Sequence, residues 1–192
     1  IGNDGPPYLA RFPAPGGIPA PTADVAIAVV DISVGFTISN AVRSLIMALT
    51  LARFSDVPET GATKRYFQHI NRFSASFAFA SDVAMLALGG YLKKKENLSA
   101  RLGDVLSALY LASMVLKHHQ NQGCPAEDKA LVDWACRTLL YKAQEQLHLF
   151  LRNFPVRWLA AFMRVFIFPR GLTYFAPSDD QSHQLVDLVM NP

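Results

Sequence analysis

Arg152, Arg157, Arg164 and Arg170 run through a stretch that also holds Trp158, Phe162 and Phe166. Basic side chains interleaved with aromatics suit an anionic membrane surface or an acidic partner. The cations meet phosphate or carboxylate while the rings sit where water gives way to apolar matter. The plainer reading of the same pattern is a helix that packs its aromatics inward and leaves its arginines in solvent. The five residues that would form such a surface are Arg152, Arg157, Trp158, Arg164 and Arg170.

Other residues with chemical potential read as structural. Asp82 is the only charge between Phe73 and Gly90. A carboxylate in so apolar a run must be paired or protonated, so it is expected to anchor an arginine or cap a backbone group across the fold. His118 and His119 follow Lys117 at the end of a helical pattern, where cations complement the helix dipole. Adjacent positions also place the two rings on different faces, which argues against a metal site. Cys124 and Cys136 are too far apart for a CxxC motif and read as thiols in a reducing compartment. No phosphate loop and no GxSxG elbow occurs; Gly16-Gly17 and Gly89-Gly90 lack the required spacing.

The elements that must carry these residues are helical. Apolar positions at steps of three and four mark a first helix through Val25, Val29, Ile32, Phe36, Ser39, Val42, Ile46 and Leu49, with Thr22 as its cap. Asp31, Asn40 and Arg43 interrupt this run and set it short of a membrane span. A second helix begins near 60–64 and carries Tyr66, Ile70, Phe73, Phe77, Ala80, Ala84 and Ala87. Its reverse face, Ala75, Phe79, Val83 and Leu86, is apolar too. A helix apolar all round is surrounded by protein, which makes this one the central helix of a bundle or an interface helix, and Phe77 a core ring. After Gly89-Gly90 and a lysine-rich turn, a third helix capped by Asn97 or Ser99 carries Leu98, Leu102, Val105, Leu109, Ala112 and Leu116. Residues 62–90 and 98–120 should form an antiparallel hairpin.

Pro125 is placed to open a fourth helix, with Val132, Cys136, Leu139, Ala143, Leu147 and Phe150 on its inner face. Pro155 opens a short fifth, 168–177 is a loop, and Ser178 caps a last one. No segment alternates with period two. The fold class is therefore all-α: a bundle of five to six helices over residues 22–192. A Pro/Gly-rich arm precedes it over 1–21, where eight breakers from Pro6 to Pro21 prevent a helix or central strand.

With 51% hydrophobic and 17% charged residues, the 192-residue chain can bury a sizeable core. Its net charge of +3 comes from near-balanced acids and bases, which argues against nucleic acid as the main partner.

Four stretches carry a family resemblance: SNAVRSL at 39–45, the long run from ATKRYFQHINRF to LASMVLK at 62–117, NFPVRW at 153–158 and IFPRGLTYFAPSDDQSH at 167–183. They resemble the C-terminal region of the bacterial long-chain acyl-CoA dehydrogenases of fatty-acid β-oxidation. The resemblance implies an oxidoreductase, an FAD flavoprotein that converts acyl-CoA to trans-2-enoyl-CoA. In that chemistry a carboxylate base takes the α-proton and the flavin accepts the β-hydride.

The family's catalytic glutamate and its flavin-contacting Gly-Gly segment are expected upstream of Ile1. Glu59, Glu96, Glu127 and Glu145 lie in no catalytic context, so no catalytic or cofactor-binding residue is carried over and no metal ligand is expected. The expectation is a C-terminal helical part, inactive alone and without flavin. It would join the rest of the dehydrogenase, reach long-chain acyl-CoA through that parent, form a homo-oligomer, and lie in the cytoplasm with peripheral contact at the inner membrane. The alternative is a freestanding, non-catalytic interaction or membrane-association module.

Overall fold

The computed structural model describes residues 23–53, 55–57, 61 and 63–190. The arm at 1–21 and the cap at Thr22 lie outside the described residues. Among the described residues six helices follow one another: α1 (Ala23–Thr50), α2 (Lys64–Leu88), α3 (Glu96–Asn121), α4 (Lys129–Arg152), α5 (Arg157–Ile167) and α6 (Asp179–Met190). A 3-10 turn over Gly89–Lys94 joins α2 to α3. Among the described residues there is no strand, and the all-α expectation stands.

The chain divides into two compact units within α1, residues 1–35 and 36–192. In the first, the described residues are helical and expose Ile32 and Val34. In the second, α3 packs most extensively against α4, while α2 joins that pair as its third member. The expected hairpin of the second and third helices is present, but the closest pairing is one step later in the chain.

The α3 stripe is buried as its spacing predicts, with Leu98, Leu102, Val105, Leu109, Ala112 and Leu116 all inside. On α2 burial wraps around the helix, since Phe73 and Phe79 are both fully enclosed. Phe77 is only half-buried, and Met85 and Leu86 emerge into solvent. The central ring is Phe79, not Phe77. On α4, Leu140 is buried where Leu139 was expected.

α1 reverses its expectation. Phe36, Val42, Ile46 and Leu49 are exposed, while Ala41, Ser44 and Ala48 are buried. Small side chains line the buried face of α1, where Ser44 Oγ lies 3.2 Å from Ser76 Oγ of α2. Asn40 Nδ2 donates to Asp82 Oδ2 at 2.7 Å, so the lone carboxylate of α2 is held by an amide and not by an arginine.

The segment Asp31–Thr50 has 20 residues with mean hydropathy 1.5, long and apolar enough to cross a membrane; Lys64–Lys94 and Glu96–Asn121 also qualify by length and composition. The expectation that charges disqualify the first run is corrected. Only Asp31 and Arg43 carry charge there, because Asn40 is a neutral amide that pairs with α2.

Two helix ends are as expected, at Gly89 and Ser178, and others differ. Gly89 closes α2 at φ +49°, a conformation glycine reaches without a Cβ penalty. α3 starts at Glu96, ahead of both proposed caps, and Ser99 Oγ donates to Leu92 O instead. Pro125 lies in the turn before α4, which begins at Lys129; α5 begins at Arg157, two residues after Pro155. Ser178 does cap α6, accepting from Gln181 N on its Oγ at 3.4 Å.

Candidate functional site

The basic aromatic segment folds with part of its apolar surface outward. α5 buries Ala160, Met163 and Ile167 against the bundle. One turn away, Phe166 packs on Phe79 at 5.7 Å between centroids. On the opposite side Trp158, Phe162 and Val165 form an exposed ridge, and Trp158 is 73% exposed. The plainer expectation of inward aromatics therefore holds for Phe166 and fails for Trp158 and Phe162.

Three of the four arginines gather beside this ridge. Arg152, Arg157 and Arg164 line a groove of about 440 Å³ together with His148. Arg157 Nη1 donates to Arg152 O at 3.0 Å, which fixes the end of α4 to the start of α5. Burial first, then the charges of Arg164 and Arg152, lower the His148 pKa below its ordinary value. Arg170 is not part of the group. It lies in the α5–α6 loop, where its charge acts on Arg72.

A second site joins α2, α4 and the loop at 173–176, and the sequence reading missed it. It is a cavity of about 620 Å³ whose lining includes Arg65, Tyr66, His69, Lys129, Asp133 and Arg137. Gln144 of α4 holds the loop that forms one of its walls. The Gln144 Oε1 accepts from Thr173 N at 2.8 Å and Tyr174 N at 3.0 Å. Its Nε2 donates to Tyr174 O at 2.8 Å. A buried side-chain amide thereby stands in for a sheet neighbour and holds the loop in place. From the other side, Arg72 Nη1 donates to Thr173 Oγ1 at 2.8 Å.

On α2, successive polar residues share one face. Arg65 donates through Nη1 to Gln68 Oε1 at 2.6 Å and to Leu51 O at 3.4 Å. Gln68 Nε2 donates to Arg53 O at 3.2 Å. These bonds clasp a turn in which Leu51 and Ala52 take φ +50° and +53°, a left-handed pair that costs a non-glycine residue about 1 kcal/mol each.

The ionisable groups of the cavity are perturbed. Burial, then the neighbouring Arg65 and Arg72, lower the His69 pKa to about 4. Burial is the main cause that pushes the Tyr66 phenol up to about 12, although Arg137 donates to its oxygen and opposes the rise. Burial likewise raises Tyr174 and lowers Arg72. The chemistry the lining offers is that of cations and donors beside a single carboxylate. Among the described residues, no group of three or more His, Cys, Asp or Glu could hold a metal ion.

Residues 28–192 match the family "Acyl-CoA dehydrogenase, C-terminal, bacterial type". The chain belongs to this family. It is therefore the C-terminal part of an acyl-CoA dehydrogenase. No solved structure matches the chain.

Acyl-CoA dehydrogenases generally use FAD. Among the described residues no strand leads into a glycine-rich loop and helix, and Gly89 and Gly90 have open space around them.

Proposed function

We propose that this domain serves the assembly and membrane contact of an FAD-dependent dehydrogenase. The parent oxidises long-chain acyl-CoA to trans-2-enoyl-CoA in fatty-acid β-oxidation. Its catalytic glutamate and flavin site lie in the upstream part, and the enzyme is a homo-oligomer at the cytoplasmic face of the inner membrane. The observation that carries the contact role is α5. Trp158, Phe162 and Val165 point outward in one ridge, with Arg157 and Arg164 along its flank and Arg152 beside them. Aromatics at headgroup depth with cations beside them form an interfacial helix. Three arginines at about 1 kcal/mol each give about 3 kcal/mol at an anionic surface, enough for reversible contact.

The exposed apolar side of α1, from Phe36 to Leu49, is a second uncovered surface. It suits the rest of the dehydrogenase or a second copy, since an apolar face of that length is rarely left in water.

Vesicle co-sedimentation tests the contact. The chain should pellet with phosphatidylglycerol vesicles at low salt, and Arg157→Glu with Arg164→Glu should release it. Equal pelleting of both proteins would refute the role of α5. The parent activity is tested separately, by flavin content and acyl-CoA oxidation of the longer enzyme over a series of chain lengths, with its mass in solution reporting the oligomer.

A further inference from the structure

The cavity between α2, the start of α4 and the loop at 173–176 is lined by three cations, Arg65, Lys129 and Arg137, against one carboxylate, Asp133. From this juxtaposition and the exposed Phe175 at its rim, we propose that the cavity binds a phosphate-bearing nucleotide. The cations hold its phosphates and the phenyl ring supports its base.

Charge is the first argument. Asp133 is already engaged, since it accepts from the Tyr66 hydroxyl and lies close to Arg137. Behind the wall sits Arg72, which is 0% exposed. Its Nη1 reaches Thr173 Oγ1, while Nε and Nη2 have no hydrogen-bond partner among the described residues. A guanidinium stays protonated at any physiological pH, and one that is buried calls for compensating negative charge. The charges that act on Arg72 are those of Tyr174 and Arg170, neither of them a carboxylate. A phosphate in the adjoining cavity supplies what the protein does not.

Unused donors are the second argument. Arg65 Nη2 lies 3.2 Å from His69 Nε2. A guanidinium only donates, so Nε2 accepts and the ring proton sits on Nδ1. That Nδ1 is buried and has no partner among the described residues. That atom is enclosed by protein, so the donors a ligand can reach are those of Arg65, Lys129 and Arg137, and they select an acceptor-rich anion.

Size and the rim decide the class of ligand. A volume of about 620 Å³ exceeds what a lone phosphate fills and lies within the range of small-molecule sites. Phe175 is 79% exposed and lines the mouth. An aromatic face there offers stacking to a base, which every nucleobase accepts. An acyl tail is disfavoured, because it would strip water from the cations and return nothing.

Calorimetric titration of the chain at low salt tests this with ADP, adenosine and inorganic pyrophosphate as probes. ADP should bind one per chain, and adenosine about tenfold or more weaker, because the phosphates carry the attraction. Lys129→Glu with Arg137→Gln should weaken ADP about tenfold or more. Phe175→Ala should weaken ADP and leave pyrophosphate unchanged, and since that ring is exposed the variant decides the matter even if the charge variant fails to fold. Absence of ADP binding at millimolar concentration, equal affinity for adenosine, or ADP binding indifferent to Phe175→Ala would overturn the proposal. The titration needs neither flavin nor turnover, so its failure leaves the dehydrogenase reading standing.

Discussion

Replacing Gln144 with leucine keeps nearly the same shape and removes three hydrogen bonds at once. Gln144 is 1% exposed, and its amide satisfies Thr173 N, Tyr174 N and Tyr174 O. In Gln144→Leu the loop has two outcomes. If it stays, two part-buried N–H groups and one carbonyl lose their partners, at up to about 1–3 kcal/mol apiece before relaxation. If it swings into water, those groups are solvated, but Thr173 leaves Arg72 without its hydroxyl acceptor and Tyr174 gives up its packing on Phe73 and His69. Partial relief by either route places the expected loss at about 3–5 kcal/mol. Urea unfolding followed by helical circular dichroism measures it. Hydrogen exchange supplies the local signature, with Thr173 and Tyr174 amides protected in the wild type and fast in the variant. A loss below about 1 kcal/mol, with both amides still protected, would show that the clasp does not hold the loop.

Phe79→Ala should cost about 3–5 kcal/mol in the same unfolding assay, and Phe77→Ala clearly less, because only the first ring is fully enclosed. Stability should fall as pH drops from 6.5 to about 4: an unfolded histidine takes up a proton across that window while folded His69 refuses it. His69→Gln should flatten that part of the pH profile, and an NMR titration should place the ring near its lowered value. A thiol reagent should label Cys124 alone in the native chain and both cysteines in denaturant, since Cys136 is buried and its thiol is pushed up to about 12.

Legibility in the sequence followed how one-sided each helix is. α3 has a single apolar stripe between polar flanks, and every residue of that stripe is inside. α1 has two candidate faces, one of large apolar residues and one of Ala41, Ser44 and Ala48. Periodicity alone cannot tell which one packs. The small face is the buried one, and that side of the helix makes two polar pairs with α2. Leu139 and Leu140 differ by one position on a helix whose orientation depends on its neighbours. The arginine group was partly legible because Arg152, Arg157 and Arg164 lie within one helix junction. The cavity was not, because it joins residues whose meeting depends on the whole topology: Arg72 meets Thr173 across 101 positions.

That distance sets an order of folding. The α3–α4 pair closes over the short connection of residues 122–128, so its contacts cost little chain entropy and form early. The Arg72–Thr173 bond and the Gln144 clasp wait until residue 174 has been brought back to α2 and α4. On a ribosome the helical pair can assemble while the loop is still unsynthesised, and the cationic cavity comes into being only once nearly the whole domain has emerged. A nascent chain halted before Thr173 would therefore hold most of its helices and all three cations, but not the loop that closes the cavity around them.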